Sequence, residues 1–184
     1  MVDFTLGEDL AMLRQTARDF AQGAIAPKAA HADANSEFPA EQFAGLAELG
    51  FAGMSVPEEY GGSGLGSLAL ALVLEEVNAA CASTGVTLSV HCSLVCGPLA
   101  KHGTDEQKLT WLPRLASGEI IGAYALTEPD AGSDAANQKT TAVPPLGTWF
   151  SSGPGPYGIT IVTALSATST RTRYSSSPQA PSRA

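Results

Sequence analysis

Apolar residues near the N terminus recur at the spacing of an α-helix. They follow one another at intervals of four, three, four, three and four residues, at Leu6, Leu10, Leu13, Ala17, Phe20 and Ala24. This period places all of them on one face of a long helix. A helix with one apolar face must bury it against other elements, so the chain is predicted to begin as a packed helical bundle.

Two following segments predict further helices of this bundle. Pro39 is placed to open the first of them, and Gly50 to end it in a left-handed cap. Its predicted buried face carries Phe43, Leu46, Ala47 and Leu49. The stretch 68–80 is apolar all round, with Glu75 and Glu76 as its only charges. That pattern predicts a helix buried in the centre of the bundle.

Two more helices are predicted before the chain changes its periodicity. An apolar segment covers residues 86–100. Thr104 with Gln107 three residues later then forms a capping box, at the start of a helix that ends near Gly118. Five or six helices therefore precede the first convincing strand, and the fold is predicted to be mainly α.

The first convincing strand is the apolar run at 120–126, which follows Gly118 and ends just before a proline. Thr127 comes directly after this run, so it is predicted to lie at the end of the strand. There it can offer a hydroxyl and a backbone N–H to a ligand. Gly132 and Ser133 then let the chain turn back and present further donors. Such a corner suits a polar ring edge and a phosphate.

Length and charge limit the class of protein. The 184 residues suffice for one domain with a proper core. A net charge of −8 argues against nucleic acid or an anionic membrane as partner, because both need clustered Lys and Arg. No apolar segment approaches the ~18 to 20 residues of a membrane span, and no signal-peptide pattern is present. Three cysteines in apolar surroundings favour reduced core thiols and a cytoplasmic location.

Two other kinds of site are considered and disfavoured. Cys92 and Cys96 would share a helix face near His91 and His102, but zinc ligands usually arrive in two clusters separated by a loop. Packing explains these thiols better, and no metal is expected. Residues 64–69 match the G-x-G-x-x-A dinucleotide fingerprint. That fingerprint must directly follow a buried strand, and none is predicted there.

The character of the chain changes after Val143. Residues 144–184 are rich in Ser, Thr, Pro and Gly, and Arg is their only charged residue. Either this tail is a genuine disordered extension, or the reading frame has slipped near residue 143. We favour the slip, because a domain rarely stops after one strand whose backbone groups would lack partners.

Four separated blocks resemble the acyl-CoA dehydrogenase family in order and spacing. They are P-E-E-Y-G-G-S-G-L at 57–65, the stretch 90–94 with Gly97–Pro98, H-G-T-D-E-Q-K at 102–108, and Y-A-L-T-E-P at 124–129 with A-G-S-D at 131–134. The last block looks like the flavin-binding signature of that family. The resemblance covers roughly residues 4–143.

The resemblance implies three regions. Residues 1–118 would be the all-α N-terminal domain, 119–143 the start of the flavin-binding β-domain, and 144–184 a low-complexity, out-of-frame or disordered tail. The catalytic glutamate of the family belongs to a later helical bundle that these residues do not contain. A polypeptide of these residues alone is therefore expected to be an inactive fragment that holds FAD weakly and, with an unpaired strand, tends to aggregate.

The chemistry implied by the resemblance is the FAD-dependent α,β-dehydrogenation of an acyl-CoA to an enoyl-CoA. A carboxylate removes the α proton while the β hydride passes to flavin N5. The cofactor-binding residues would be Tyr124, Ala125, Leu126, Thr127, Gly132 and Ser133. Thr127 would hydrogen-bond the pyrimidine edge of the flavin. Tyr124 and Leu126 could instead be core residues, and Ser133 could merely shape a turn.

The same resemblance assigns the substrate contacts. Ser133 would lie between FAD and the acyl-CoA, and the acyl pocket would be lined by Val86, Thr87, Val90 and Leu94, although an apolar helix face packs a core equally well. Electron-transfer flavoprotein is the implied electron acceptor, and the full-length form is expected to be a homotetramer or homodimer. Two other functions stay open: a flavin monooxygenase of the same architecture, and a non-catalytic helical fragment.

Overall fold

A computed structural model describes residues 5–124, 127, 132–134, 141–142, 159–161 and 172–173, and most of these are helical. The α-helices are α1 Glu8–Phe20, α2 Ala26–Asn35, α3 Ala40–Glu48, α4 Ser67–Ala80, α5 Ala82–Ser89, α6 Gly97–His102 and α7 Asp105–Ala116. Two π-helical segments, Ala21–Ile25 and Val90–Cys96, join α1 to α2 and α5 to α6. The predicted mainly α fold with an all-α N-terminal part is confirmed.

The first helix follows the predicted stripe but shifts it by one residue at its C-terminal end. Ala17, Ala21 and Ile25 are buried, whereas the predicted Phe20 and Ala24 are half-buried. The shift begins at the first residue of the π-helical turn Ala21–Ile25, which inserts about one residue relative to an α-turn. The periodicity of an ideal α-helix could not predict that insertion.

The helix α3 begins and ends as the sequence predicted. Pro39 precedes its first residue, and Gly50 adopts the left-handed conformation at φ 79°. Phe43 and Leu46 are fully buried. Leu49 was predicted to be buried and is instead exposed, because it follows the last helical residue and no longer shares the inward face.

The apolar helix α4 is buried on one side only. Its face toward α1 carries Ala69, Val73 and Val77 in the main core. Leu68, Ala71 and Ala79 are exposed, so the prediction of burial all round is wrong along one side of the helix. Within residues 5–66 no strand precedes the glycine-rich connector that leads into α4, and the segment ahead of it is the 3-10 turn Glu58–Tyr60.

A second core forms where α6 and α7 meet the loop after α3. Its buried residues are Val56, Val95, Cys96, Leu99, Leu112, Leu115, Ala116 and Ile120. The predicted capping box opens α7, because the Thr104 hydroxyl accepts from the Gln107 N–H and the Gln107 side chain accepts from the Thr104 N–H. Gly118 then turns the chain at φ 73° toward the first strand.

Four short strands lie in the described part of the chain. They are β1 Ile121–Ala123, β2 Thr141–Ala142, β3 Ile159–Ile161 and β4 Thr172–Arg173. β1 pairs in parallel with β3, with Gly122 opposite Thr160, and β2 pairs antiparallel with β4. The first strand is thus shorter than the predicted run 120–126, and it is not unpaired as expected. The region boundaries at 118 and 143, and the origin of the tail, stay predictions.

In the part of the chain that the structure describes, no helix has the length and apolarity required to cross a bilayer.

Candidate functional site

The site is built around one continuous helical run, from α5 through the π-helical segment Val90–Cys96 into α6. The inward side of this run carries His91, Cys92, Val95 and Cys96, all fully buried. Its outward side carries the predicted acyl-lining residues. One helix therefore has a core face and a face open to a ligand.

The predicted acyl-lining residues share the outward side of this run. Val86 is 57% exposed and Leu94 is 40% exposed, while Thr87 and Val90 are half-buried. The Thr87 hydroxyl donates to the Ser83 carbonyl at 2.9 Å, which satisfies it within its own helix. Large apolar side chains left open to solvent beside a structured core are a frequent mark of a binding surface.

The strand β1 docks against the inward side of the same run. Gly122 makes the close approach possible, because a Cβ built at this position would lie 2.6 Å from Val95 Cγ1. Its backbone N–H donates to Nδ1 of His91 at 3.0 Å. The strand that leads toward the predicted flavin-binding residues is therefore attached directly to the helix that carries the predicted acyl-lining residues.

His91 is a neutral, fully satisfied core residue. Nδ1 accepts from Gly122, so Nε2 carries the proton and donates to the Leu115 carbonyl at 3.1 Å. Burial lowers the pKa of His91 to about 4, and the Leu115 and Ala52 carbonyls oppose that shift only in part. The imidazole also meets the Phe43 ring edge-on, with centroids 5.2 Å apart. Its ring nitrogens are both used, which leaves neither for a metal.

The cysteines of this helix are core residues, as predicted. The Cys92 thiol lies 3.4 Å from the Phe51 carbonyl and 3.5 Å from the Ala52 carbonyl and donates to them. Burial raises the pKa of Cys92 to about 12 and raises that of Cys96 as well. Such thiols stay protonated and unreactive at neutral pH. Cys81 is half-buried.

The predicted flavin-binding residues are described in part. Tyr124 directly follows β1 and is half-buried, while Thr127, Gly132 and Ser133 are exposed. Ala125 and Leu126 lie outside the described residues. A Cβ built at Gly132 would meet nothing within 4 Å, so open space adjoins the backbone there. Exposed hydroxyls and an open glycine backbone are donors that suit an oxygen-rich, ring-shaped ligand.

An ion-pair cluster between α1 and α4 went unnoticed in the sequence. Glu76, only 7% exposed, accepts from Arg14 at 2.7 Å and from two nitrogens of Arg18 at 2.7 and 2.9 Å. The hydrogen bond from Arg18 and the weaker one from Arg14 lower the pKa of Glu76 to about 2, against the opposing effect of burial. The sequence signal that could have revealed this cluster is the Glu76 carboxylate, which lies on a helix that is otherwise almost entirely apolar.

The chain belongs to the acyl-CoA dehydrogenase family, because residues 7–119 match the family model described as "Acyl-CoA dehydrogenase, N-terminal domain". It is 48% identical over 148 residues to the mitochondrial short-chain specific acyl-CoA dehydrogenase of Bos taurus, covering 80% of this chain and 36% of that protein. It spans only about a third of the length of the curated relatives it matches.

Solved structures share the fold as well as the sequence. The acyl-CoA dehydrogenase of Bacillus anthracis in complex with FAD matches with a TM-score of 0.71 at 36% identity, covering 77% of this chain and 25% of that one. A chain in a structure described as the electron transferring flavoprotein of Acidaminococcus fermentans matches with a TM-score of 0.72 at 41% identity, covering 76% and 37%.

Proposed function

We propose that the whole protein containing these residues is an FAD-dependent acyl-CoA dehydrogenase, which oxidises the Cα–Cβ bond of an acyl-CoA to give an enoyl-CoA. The observation that carries this proposal is the attachment of β1 to the helical run Ala82–His102. That contact joins the start of the flavin-binding signature to a helix with an outward apolar face. Family membership supplies the reaction type.

The flavin-binding residues fit the cofactor in their chemistry. Thr127 offers a hydroxyl and a backbone N–H to the pyrimidine edge of the ring, and it is exposed. Gly132 has room beside its backbone for a ligand to approach, and Ser133 offers a second hydroxyl. Bound FAD would supply the hydride acceptor that no amino-acid side chain can provide. The FAD complex of the Bacillus anthracis relative supports this assignment.

The acyl chain would lie on the face formed by Val86, Thr87, Val90 and Leu94. Burying apolar surface there stabilises the bound thioester by about 25 cal/mol per Å² removed from water. Excluding water from this face also favours proton abstraction at the α carbon, because charges interact more strongly in a dry site. Since the Bos taurus relative is named as short-chain specific, a short acyl group is the proposed substrate.

The electron acceptor is proposed to be an electron-transfer flavoprotein, and the assembly a homodimer or homotetramer. The similar chain in the Acidaminococcus fermentans structure supports the first assignment. The family resemblance supports the second.

Flavin content and turnover of the whole protein test the proposed function. We expect a purified protein that is yellow and that reduces an artificial electron acceptor faster with butyryl-CoA than with palmitoyl-CoA. Replacing Thr127 by Val should weaken FAD binding about tenfold, the effect of one lost hydrogen bond to a polar ligand.

Leu109→Ala provides the matched control for this test. Leu109 is 66% exposed on α7 and belongs to none of the predicted flavin or acyl contacts, so this variant should bind FAD and turn over butyryl-CoA normally. A colourless protein that binds neither FAD nor butyryl-CoA would contradict the proposal.

A further inference from the structure

Both ring nitrogens of the buried His91 make hydrogen bonds, yet the proposed reaction gives this residue no role. It is fully buried, and each ring nitrogen makes one hydrogen bond to the backbone of a different element. Leu115 lies 24 residues further along the chain on α7, and Gly122 lies 31 residues further along on β1. The imidazole therefore joins three elements at one point.

The strand β1 is held by its parallel pairing with β3, by the packing of Gly122 against Val95 and by Ile121 on the main core, and the bond to His91 adds a directional contact. It contains three residues, and its central residue, Gly122, has no side chain to lock into the core. Its N–H points at His91 rather than at another strand. Because the bond is directional, it fixes both the height and the rotation of the strand at Gly122.

We propose that His91 is a positioning residue, which holds the strand leading into the flavin-binding signature in register with the helix face that carries the acyl-lining residues. The inference rests on the proposed function of those two segments. Tyr124 follows Gly122 by two residues, which is roughly 7 Å of extended chain. A displacement of the strand at Gly122 is therefore expected to move Tyr124 as well, and the readout at Thr127 tests whether the displacement extends further.

His91 lies within the π-helical segment Val90–Cys96. His91 and Val95 face inward, toward β1, while Val90 and Leu94 lie on the outward side. The strand-anchoring residue and two acyl-lining residues thus lie within one short segment. Movement of this segment carries both together, so their relative position is preserved. Segments of π-helix occur frequently at functional sites.

The hydrogen bond can be tested in the unmodified 184-residue chain without any ligand. At pH 7 we expect a scalar coupling across the bond between the Gly122 and His91 Nδ1 nitrogens in nitrogen-15 NMR, with the ring proton on Nε2. A proton found on Nδ1 would overturn the proposal, because Gly122 could then not donate to it. This measurement does not depend on the folding of any variant.

Two conservative variants separate positioning from packing. In His91→Asn the side-chain carbonyl lies near the place of Nδ1 and can still accept from Gly122. In His91→Gln the amide lies near the place of Nε2 and can serve only Leu115. Amide exchange at Gly122 should be about tenfold faster in His91→Gln than in His91→Asn, and the Thr127 amide resonance should move only in His91→Gln.

The outcomes are distinct from those that test the proposed function. Equal Gly122 exchange and equal Thr127 shifts in the two variants would show that His91 merely fills space, and would overturn the inference even if the whole protein proved an active dehydrogenase. In that whole protein, His91→Gln should raise the Kd for FAD about tenfold more than His91→Asn. Absence of FAD binding in every form would contradict the proposed function and leave the NMR result unaffected.

Discussion

A buried histidine makes the stability of this chain depend on pH. The pKa of His91 is about 4 when folded, against an ordinary value of about 6.5 when unfolded. The unfolded state therefore binds more protons between these values, so stability is fully present above pH 6.5 and falls as the pH drops toward 4. We expect a loss of about 3 kcal/mol in the free energy of unfolding by pH 4. Urea titrations at pH 7, 5.5 and 4 measure it.

His91→Asn is the control for that pH series, because asparagine does not titrate. Its free energy of unfolding should change far less between pH 7 and pH 4.5. If the variant and the unmodified chain lose stability in parallel over this range, another group causes the loss.

Gly122 has no room for a side chain. A methyl group there would lie 2.6 Å from Val95 Cγ1 and 2.8 Å from Val95 Cβ, well inside van der Waals contact. Gly122→Ala should destabilise the chain by roughly 1–3 kcal/mol and displace β1 from the helix. Gly23→Ala is the matched control, since a Cβ at Gly23 meets nothing within 4 Å. Thermal unfolding of both variants gives the comparison, and equal midpoints would contradict the close packing seen at β1.

At the scale of elements, the cluster around Glu76 holds α1 against α4. Glu76 is nearly buried and bonded to Arg14 and Arg18, which are themselves partly exposed. Glu76→Gln should cost roughly 1–2 kcal/mol at pH 7, a range reduced for the solvent that reaches both arginines. Because the pKa of Glu76 is depressed when folded, this stability is present above about pH 4.5 and disappears as the pH falls toward 2.

The neighbouring Glu75 is a control of the same chemistry. Its side chain is 60% exposed and its contact with Arg14 is longer, at 3.2 Å. Glu75→Gln should change the free energy of unfolding by less than about 0.5 kcal/mol. Urea denaturation at pH 7 tests the pair, and similar losses in both variants would show that burial of Glu76 is unimportant.

The capping box at the start of α7 stabilises the first turn of that helix. Thr104→Ala removes the acceptor for the Gln107 N–H and should cost about 1 kcal/mol. Thr110→Ala is the control, because the Thr110 hydroxyl only bonds the Glu106 carbonyl within its own helix. Hydrogen exchange in the first turn of α7 should accelerate in Thr104→Ala alone. Unchanged exchange there would mean that packing of Leu112 and Leu115 suffices to hold the turn.

At the scale of the whole molecule, the described residues form a helical platform onto which the start of a β-region is attached. The main core lies between α1, α3, α4 and α5, and the second core lies under α6 and α7. The contact of β1 with the helical run Ala82–His102 joins the predicted flavin segment to this platform. Residues 7–119, which contain this platform, are sufficient to identify the family, while the proposed activity requires the whole protein.

Local signals in the sequence predicted much of the helical part. Pro39, Gly50 and the Thr104–Gln107 pair act within a few residues, so their effects are readable from spacing alone. Periodicity located the helices for the same reason. It was wrong at Phe20 and Ala24, where a π-helical turn begins, and at Leu49 and Leu68, which lie at helix ends where burial depends on the neighbouring element rather than on the period.

The sequence by itself determined the family, the helical class and the helix caps. The caps and the helical class depend on residues close together in the chain, and the family was identified from four sequence blocks that each resemble its motifs. Only the tertiary structure decided the π-helical shifts, the Glu76 cluster and the bond between His91 and Gly122. Glu76 lies 62 and 58 residues from its arginines, and Gly122 lies 31 residues from His91. Such contacts arise from the packing of whole elements, which determines which polar groups become buried together and must satisfy one another.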